Sequence, residues 1–281
     1  MRFLIVLASL LFAQPAMADR GWVDFFSAEG TVIRGWLATP SGDGPHPGVV
    51  MMHSCFGPVT SKDELAAHDA AWVDILTKSG YAVLVADSYT PRGQKSLCQV
   101  RDRPVQARAE RPWDAIGALQ FLQERADVKA DKIALMGWSN GAISLLWTVR
   151  KGASAATALD GPDFRTAVGF YPYCHDIRLQ VPEYRPRVPV LLQIGTKDDW
   201  TLPEPCRLMV SESRARGGDM TIDLYDGAFH LFDAPNTPLR EFMAAGGSDA
   251  SVIDKIHFGT NDPAREKAVQ RTLNWLAEHL H

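Results

Sequence analysis

Several large protein classes are excluded by what this sequence lacks. It has no basic excess: 29 Lys and Arg stand against 33 Asp and Glu, a net charge of −4 over 281 residues with a pI near 6.1. A nucleic-acid partner usually leaves a basic footprint, so none is expected. It has only one long apolar run, Phe3 to Ala13, about 11 residues where a membrane span needs about 20. It has only four cysteines, and none of them stand in the close CxxC spacing of a zinc or redox site. Internal repeats and inter-domain linkers are missing as well, which leaves one domain of the larger kind.

The N-terminus supplies the first positive signal. "MRFLIVLASLLFAQPAMADR" combines Arg2, the short apolar run and Ala16-Met17-Ala18, the layout of a secretory signal peptide cleaved after Ala18. Residues 1–18 are thus expected to be removed and 19–281 to form the mature protein, periplasmic or secreted, with no membrane attachment. In an oxidising compartment disulfides persist, so a structural bridge is expected for at least one pair among Cys55, Cys98, Cys174 and Cys206. Cys174 and Cys206 follow successive strand patterns onto loops at one sheet edge, and they are the expected pair.

Apolar runs at Trp22 to Phe26, Thr31 to Ala38, Gly48 to Met52, Ala82 to Ala86, Ile133 to Trp138, Ala167 to Tyr171, Val190 to Ile194 and Met220 to Tyr225 have the length and bounding turn residues of strands. The first two carry polar residues and read as an edge hairpin. The central ones are nearly all apolar, as parallel strands covered on both faces are. Helical spacing groups Leu65, Trp72, Val73 and Leu76, then Trp113, Ile116, Leu119 and Leu122. A helix follows Ser139 directly, and another begins at Asp262-Pro263. Alternating strands and helices give an α/β domain with a mainly parallel sheet. Residues 232–260 show no strand pattern and read as a long excursion, either a lid or a surface insertion.

"GWSNG" sets Ser139 between Gly137 and Gly141 where a strand pattern gives way to a helix pattern. A GxSxG match alone is weak, but this placement is that of a nucleophile elbow, in which a sharp strand-to-helix turn exposes the hydroxyl. Serine needs a base, and the base an orienting acid. In chain order the acid comes next and the histidine last. That order removes His46, His53, His68 and His175. His279 and His281 fall on the terminal helix or its frayed end, which leaves His230, after the strand pattern "MTIDLYD", with His257 as the alternative. The acid falls at the end of "PVLLQIGTKDDW", where the GxxD spacing favours Asp198 over Asp199. Oxyanion donors are expected from the Asn140 amide and from the Cys55 or Phe56 amide in "HSCFG". His53 reads as a core histidine. No metal or organic cofactor is called for.

Taken together, "HSCFG", "VADSYTPRG", "GWSNG", "IGTKDDW" and "YDGAFHLFD" resemble the dienelactone hydrolase family of the α/β-hydrolase fold, over nearly the whole mature chain. The resemblance implies a triad of Ser139, Asp198 and His230, an oxyanion donor at Cys55, and a small-molecule ester or lactone as substrate. It also places a substrate-carboxylate-binding arginine near Arg92, although Arg92 could equally brace its turn against a neighbouring carboxylate. The namesake enzymes use cysteine as nucleophile, with a glutamate in the oxyanion loop. Here serine takes the first place and Ser54 the second, which points to ester hydrolysis rather than to the dienelactone itself. A peptidase on this fold would bring a gating domain or an amine-binding acid cluster. A non-catalytic binding protein would have lost a triad member. Neither pattern is seen.

Overall fold

The computed structural model describes residues 19–245 and 253–281; the expected signal peptide, 1–18, lies outside them. An eight-stranded sheet runs in the order β1-β2-β4-β3-β5-β6-β7-β8. Its strands are β1 (Arg20–Phe26), β2 (Val32–Ala38), β3 (His46–Met52), β4 (Ala82–Asp87), β5 (Val128–Trp138), β6 (Thr166–Phe170), β7 (Val190–Gly195) and β8 (Met220–Tyr225). β1 and β2 form the antiparallel edge hairpin, β2 meets β4 antiparallel, and every other pairing is parallel. This is the α/β-hydrolase arrangement.

Burial explains the strand composition. All six residues of β4 and of β7 are buried, because helices cover both faces of the sheet there. α1 (Ala67–Lys78) packs on β4, and α2 (Glu110–Gln123) packs on β5 and on α3 (Asn140–Val149). α3 and α6 (Asp262–Leu280) both pack on β5 and β6. Asn261 caps α6 by accepting the Ala264 amide, one residue before the expected Asp262, and Pro263 sits in the first turn.

Two helices escaped the sequence reading. α4 (Cys174–Gln180) has only seven residues, too few for a period to show. α5 (Pro203–Ala215) was legible: Pro203 opens it, and Cys206, Met209, Val210 and Ser213 form its buried stripe.

The structure corrects the reading of 232–260. Within it, β9 (Arg240–Ala245) and β10 (Ile253–Phe258) form an antiparallel two-stranded sheet. Phe242 and Ala244 on one strand alternate inward, as do Ile256 and Phe258 on the other, and together they meet Cys55, Phe56, Cys98 and Trp200. That alternation is the period-two signal of a half-buried strand, short enough to be hidden by the surrounding prolines and glycines.

The expected bridge between Cys174 and Cys206 is present, with Cα atoms 5.0 Å apart, and ties α4 to α5. A second, unexpected bridge joins Cys55 to Cys98, with Cα atoms 4.9 Å apart. The two bridges close loops spanning 43 and 32 residues, each worth about 4 kcal/mol in the chain-entropy model. Two disulfides suit a protein outside the reducing cytoplasm. Among the described residues no helix is long and apolar enough to cross a membrane.

Candidate active site

Ser139 is the turn between β5 and α3. Its backbone takes φ 51° and ψ −115°, a conformation costly for any residue with a Cβ and maintained only where the surroundings enforce it. Here the enforcement is close packing. A Cβ on Gly141 would overlap the Met52 carbonyl of β3, and one on Gly137 would overlap the Gly141 carbonyl. The two glycines therefore let α3 start hard against the sheet. The Ser139 amide donates to Phe170 O at 2.9 Å, which locks the turn to β6.

Asp198 and His230 come together from loops after β7 and β8. Asp198 Oδ2 lies 2.8 Å from His230 Nδ1. The other oxygen, Oδ1, accepts the amides of Trp200 at 3.0 Å and Thr201 at 2.8 Å. A carboxylate facing Nδ1 makes that nitrogen the proton-bearing one in the neutral ring and leaves Nε2 an acceptor. Nε2 is buried and has no hydrogen-bond partner among the described residues. Tyr171 and Trp200 flank the ring, with centroids 4.3 and 4.7 Å away.

The two alternatives kept open by the sequence, Asp199 and His257, pair with each other. Asp199 accepts the His257 amide at 2.9 Å, and its second oxygen lies 2.6 Å from His257 Nδ1. That contact fastens β10 to the loop carrying Asp198.

Ser139, Asn140 and Cys55 line one cavity of about 350 Å³, together with Trp200, Thr201 and Arg103. Ser54 turns away and accepts the Phe56 amide at 3.3 Å. His53 is fully buried, and burial first, then the Arg111 charge, push its imidazole well below its ordinary pKa. Its Nδ1 lies 2.7 Å from Ser54 O, so this neutral ring is a core histidine, as expected.

Arg92 departs from the role the resemblance gave it. Its guanidinium forks onto Asp114 at 2.8 and 2.9 Å and donates to Ser88 O at 2.9 Å, and it does not line the cavity. The fork reserved for a substrate carboxylate is already filled, and Arg92 braces its turn. The sequence reading missed Arg103. Half-buried in the cavity wall, it donates from Nε to Leu97 O at 2.9 Å and has no carboxylate within ion-pair distance among the described residues. Nothing in "RDRPVQAR" separates it from Arg101 and Arg108, which line the same cavity; it differs from them in being half-buried while they are exposed. No group of three or more His, Cys, Asp or Glu among the described residues is arranged to hold a metal ion.

Behind the site, one buried carboxylate gathers four donors. Asp233 accepts from Trp72 and Trp138 at 2.8 Å, from Tyr171 at 2.6 Å and from His68 at 2.9 Å. Trp138 precedes Ser139, Tyr171 lies on His230, and Asp233 itself follows His230 by three residues, so this hub ties together the elements that carry serine and histidine. Burial opposes both charges. The Asp233 charge nevertheless holds His68 up to about 10, and His68 in turn holds Asp233 below the ordinary carboxylate value. The raised His68 contributes stability in full below about pH 6.5 and loses it as pH rises through about 10; the lowered Asp233 contributes above about pH 3.8 and loses it in acid. Melting temperature should fall between about pH 7 and 10 in the wild type and less steeply in His68→Gln. Parallel curves for the two proteins would rule out a contribution from this pair.

Comparison with known proteins identifies the family and the fold. The profile described as "Dienelactone hydrolase family" matches residues 33–280. A Bradyrhizobium sp. protein described as "Probable 2-oxo-3-(5-oxofuran-2-ylidene)propanoate lactonase" is 25% identical over 223 residues, covering 75% of this chain and 83% of that one. Among solved structures, a dienelactone hydrolase-like promiscuous phosphotriesterase, P91, from metagenomic libraries superposes with a TM-score of 0.67 at 19% identity, over 93% of this chain and 99% of that one. The propionate-bound esterase Est2 of Thermogutta terrifontis does so with a TM-score of 0.59 at 16% identity, over 92% and 94%.

Proposed function

The chain belongs to the dienelactone hydrolase family and is a carboxylic ester hydrolase, and from that premise we propose that it cleaves a small ester or lactone through an acyl-enzyme on Ser139. The observation that carries this reading is the buried His230 Nε2, left without a partner while Nδ1 faces Asp198, in a chain whose elbow strains Ser139. Nε2 takes the hydroxyl proton as Oγ attacks the carbonyl carbon, and the amides of Asn140 and Cys55 receive the oxyanion. Collapse of the tetrahedral intermediate breaks the ester C–O bond, and His230 returns the proton to the departing alkoxide. Water then attacks the acyl group, His230 takes its proton, and Ser139 is released as the hydroxyl. A lactone would differ only in that the alcohol stays tethered to the acid. The mature chain works as one domain from residue 19, periplasmic or secreted after loss of 1–18, which the two disulfides favour.

The pocket supports an anionic substrate. Arg103 lines the same cavity as Ser139 without a carboxylate partner among the described residues, and Arg101 and Arg108 line it as well; the name of the Bradyrhizobium relative's substrate, a propanoate, describes a lactone bearing an acid group. The test is a panel of neutral and carboxylate-bearing esters and lactones of matched size, with organophosphate labelling mapped to a peptide. Turnover and labelling at Ser139 are expected. In Arg103→Ala, KM for the anionic members should rise about 10-fold or more, the worth of a hydrogen bond to a charged group, with neutral members unchanged. A protein that turns over none of the panel and takes no label is not a serine esterase.

A further inference from the structure

Arg111, on the first turn of α2, is an arginine with no ordinary reason to be where it is. It is fully buried, and no carboxylate lies within ion-pair distance of it among the described residues. Its hydrogen bonds all go to neutral oxygens: Nη2 donates to His53 O at 2.7 Å, Nη1 to Asn140 Oδ1 at 2.5 Å, and Nε reaches Ser88 Oγ at 3.4 Å. The face of the guanidinium lies 5.2 Å from the Tyr89 ring centre, and Tyr89 donates its hydroxyl to the same Asn140 Oδ1 at 3.1 Å. The two nearby acids are engaged elsewhere. Asp114 is held by the Arg92 fork, and Asp87 accepts from Arg34 Nε and from the amides of Tyr89 and Thr90. A buried charge left this way is costly unless something requires it.

What it touches suggests the requirement. Asn140 supplies one oxyanion donor, and His53 O opens the turn that carries the other, the Cys55 amide. We propose that Arg111 is the positioning residue of the oxyanion hole: a single guanidinium holds both halves of the hole in register and keeps a positive charge without an ion-pair partner behind them. In this arrangement Arg92 has a purpose that its distance from the cavity hides, since by occupying Asp114 it keeps that carboxylate from neutralising Arg111. A charge fixed in a water-poor site acts most strongly where negative charge develops, so its effect falls on the tetrahedral intermediate and little on the bound ester.

The inference rests on the serine-esterase reading and is tested on the full protein with a neutral ester. Arg111→Gln should lower kcat by about 10- to 100-fold, the scale of a weakened oxyanion hole, with KM changed by less than about twofold. Arg111→Lys, which keeps the charge but not the fork, should recover part of that loss. Across the series, affinity for a trifluoromethyl ketone, which forms an oxyanion on Ser139, should fall in the same ratio as kcat/KM. If Arg111→Gln does not fold, Asn140→Ala carries the test, because it removes the guanidinium's hold on the serine-side donor and keeps the backbone amide; a several-fold fall in kcat alone is expected. Folded variants with unchanged kcat, or with losses that the ketone's affinity does not follow, overturn the assignment of Arg111 while leaving Ser139-dependent turnover intact. Absence of that turnover in the wild type would overturn both.

Discussion

Ser139→Ala is expected to lower kcat/KM for an activated ester by roughly 10⁵- to 10⁶-fold while leaving circular dichroism and melting temperature close to those of the wild type. In the proposed mechanism, removing Oγ deletes the atom that forms the covalent bond, and the remaining rate comes from substrate binding and the oxyanion donors. The fold should not suffer, because the strain at φ 51° belongs to the backbone and alanine carries the same Cβ. Glycine at this position gives a sharper form of the test. Ser139→Gly should be equally inactive yet more heat-stable, since glycine occupies positive φ without the 1–3 kcal/mol or so that a side chain stores there. Activity surviving in either variant would end the serine-nucleophile reading. A glycine variant no more stable than the alanine one would show that the elbow is not under strain.

The sheet was legible because its strands are buried on both faces. A run such as "AVLVAD" can hardly be anything else between turn residues. The elbow was legible for a related reason: two glycines flanking a serine at a strand-to-helix junction mark a place where backbones approach closely. The hairpin β9–β10 was not legible, since its apolar face comprises Phe242, Ala244, Ile256 and Phe258 across two strands that the sequence separates. The Cys55–Cys98 bridge was hidden in the same way, because the loop carrying Cys98 folds back over the loop after β3, where Leu97 donates its amide to Cys55 O at 2.8 Å.

Charged side chains were the hardest to read. Arg92, Arg103 and Arg111 look alike in sequence, and their different tasks follow from which acids lie near each. Arg92 meets Asp114, whereas Arg103 and Arg111 meet only neutral acceptors. Local spacing cannot show this. The partners are 22 residues from Arg92 and 58 and 29 residues from Arg111, and they are brought together only when α2 packs against the loops after β3 and β4 and the start of α3.

The two aspartates after β7 should separate by about three orders of magnitude. Asp198→Asn is expected to lower kcat by about 10⁴-fold, because an amide can present its NH2 to Nδ1, favouring the tautomer with the proton on Nε2, and it no longer stabilises the imidazolium that forms as Ser139 attacks. The site would hold an asparagine well enough, since Oδ1 receives the Trp200 and Thr201 amides and an amide oxygen can take its place. The loss should therefore appear in kcat with the fold intact. Asp199→Asn should change kcat by less than about tenfold. Its carboxylate faces His257 and the β10 backbone rather than His230, so the change acts on how the hairpin sits behind Trp200, and it should show mainly as a lower melting temperature. Steady-state kinetics and thermal melts on the two variants decide the matter. If Asp199→Asn were the more damaging to kcat, the acid of the triad would be the residue now holding His257, and His257 rather than His230 would have to be reconsidered as the base.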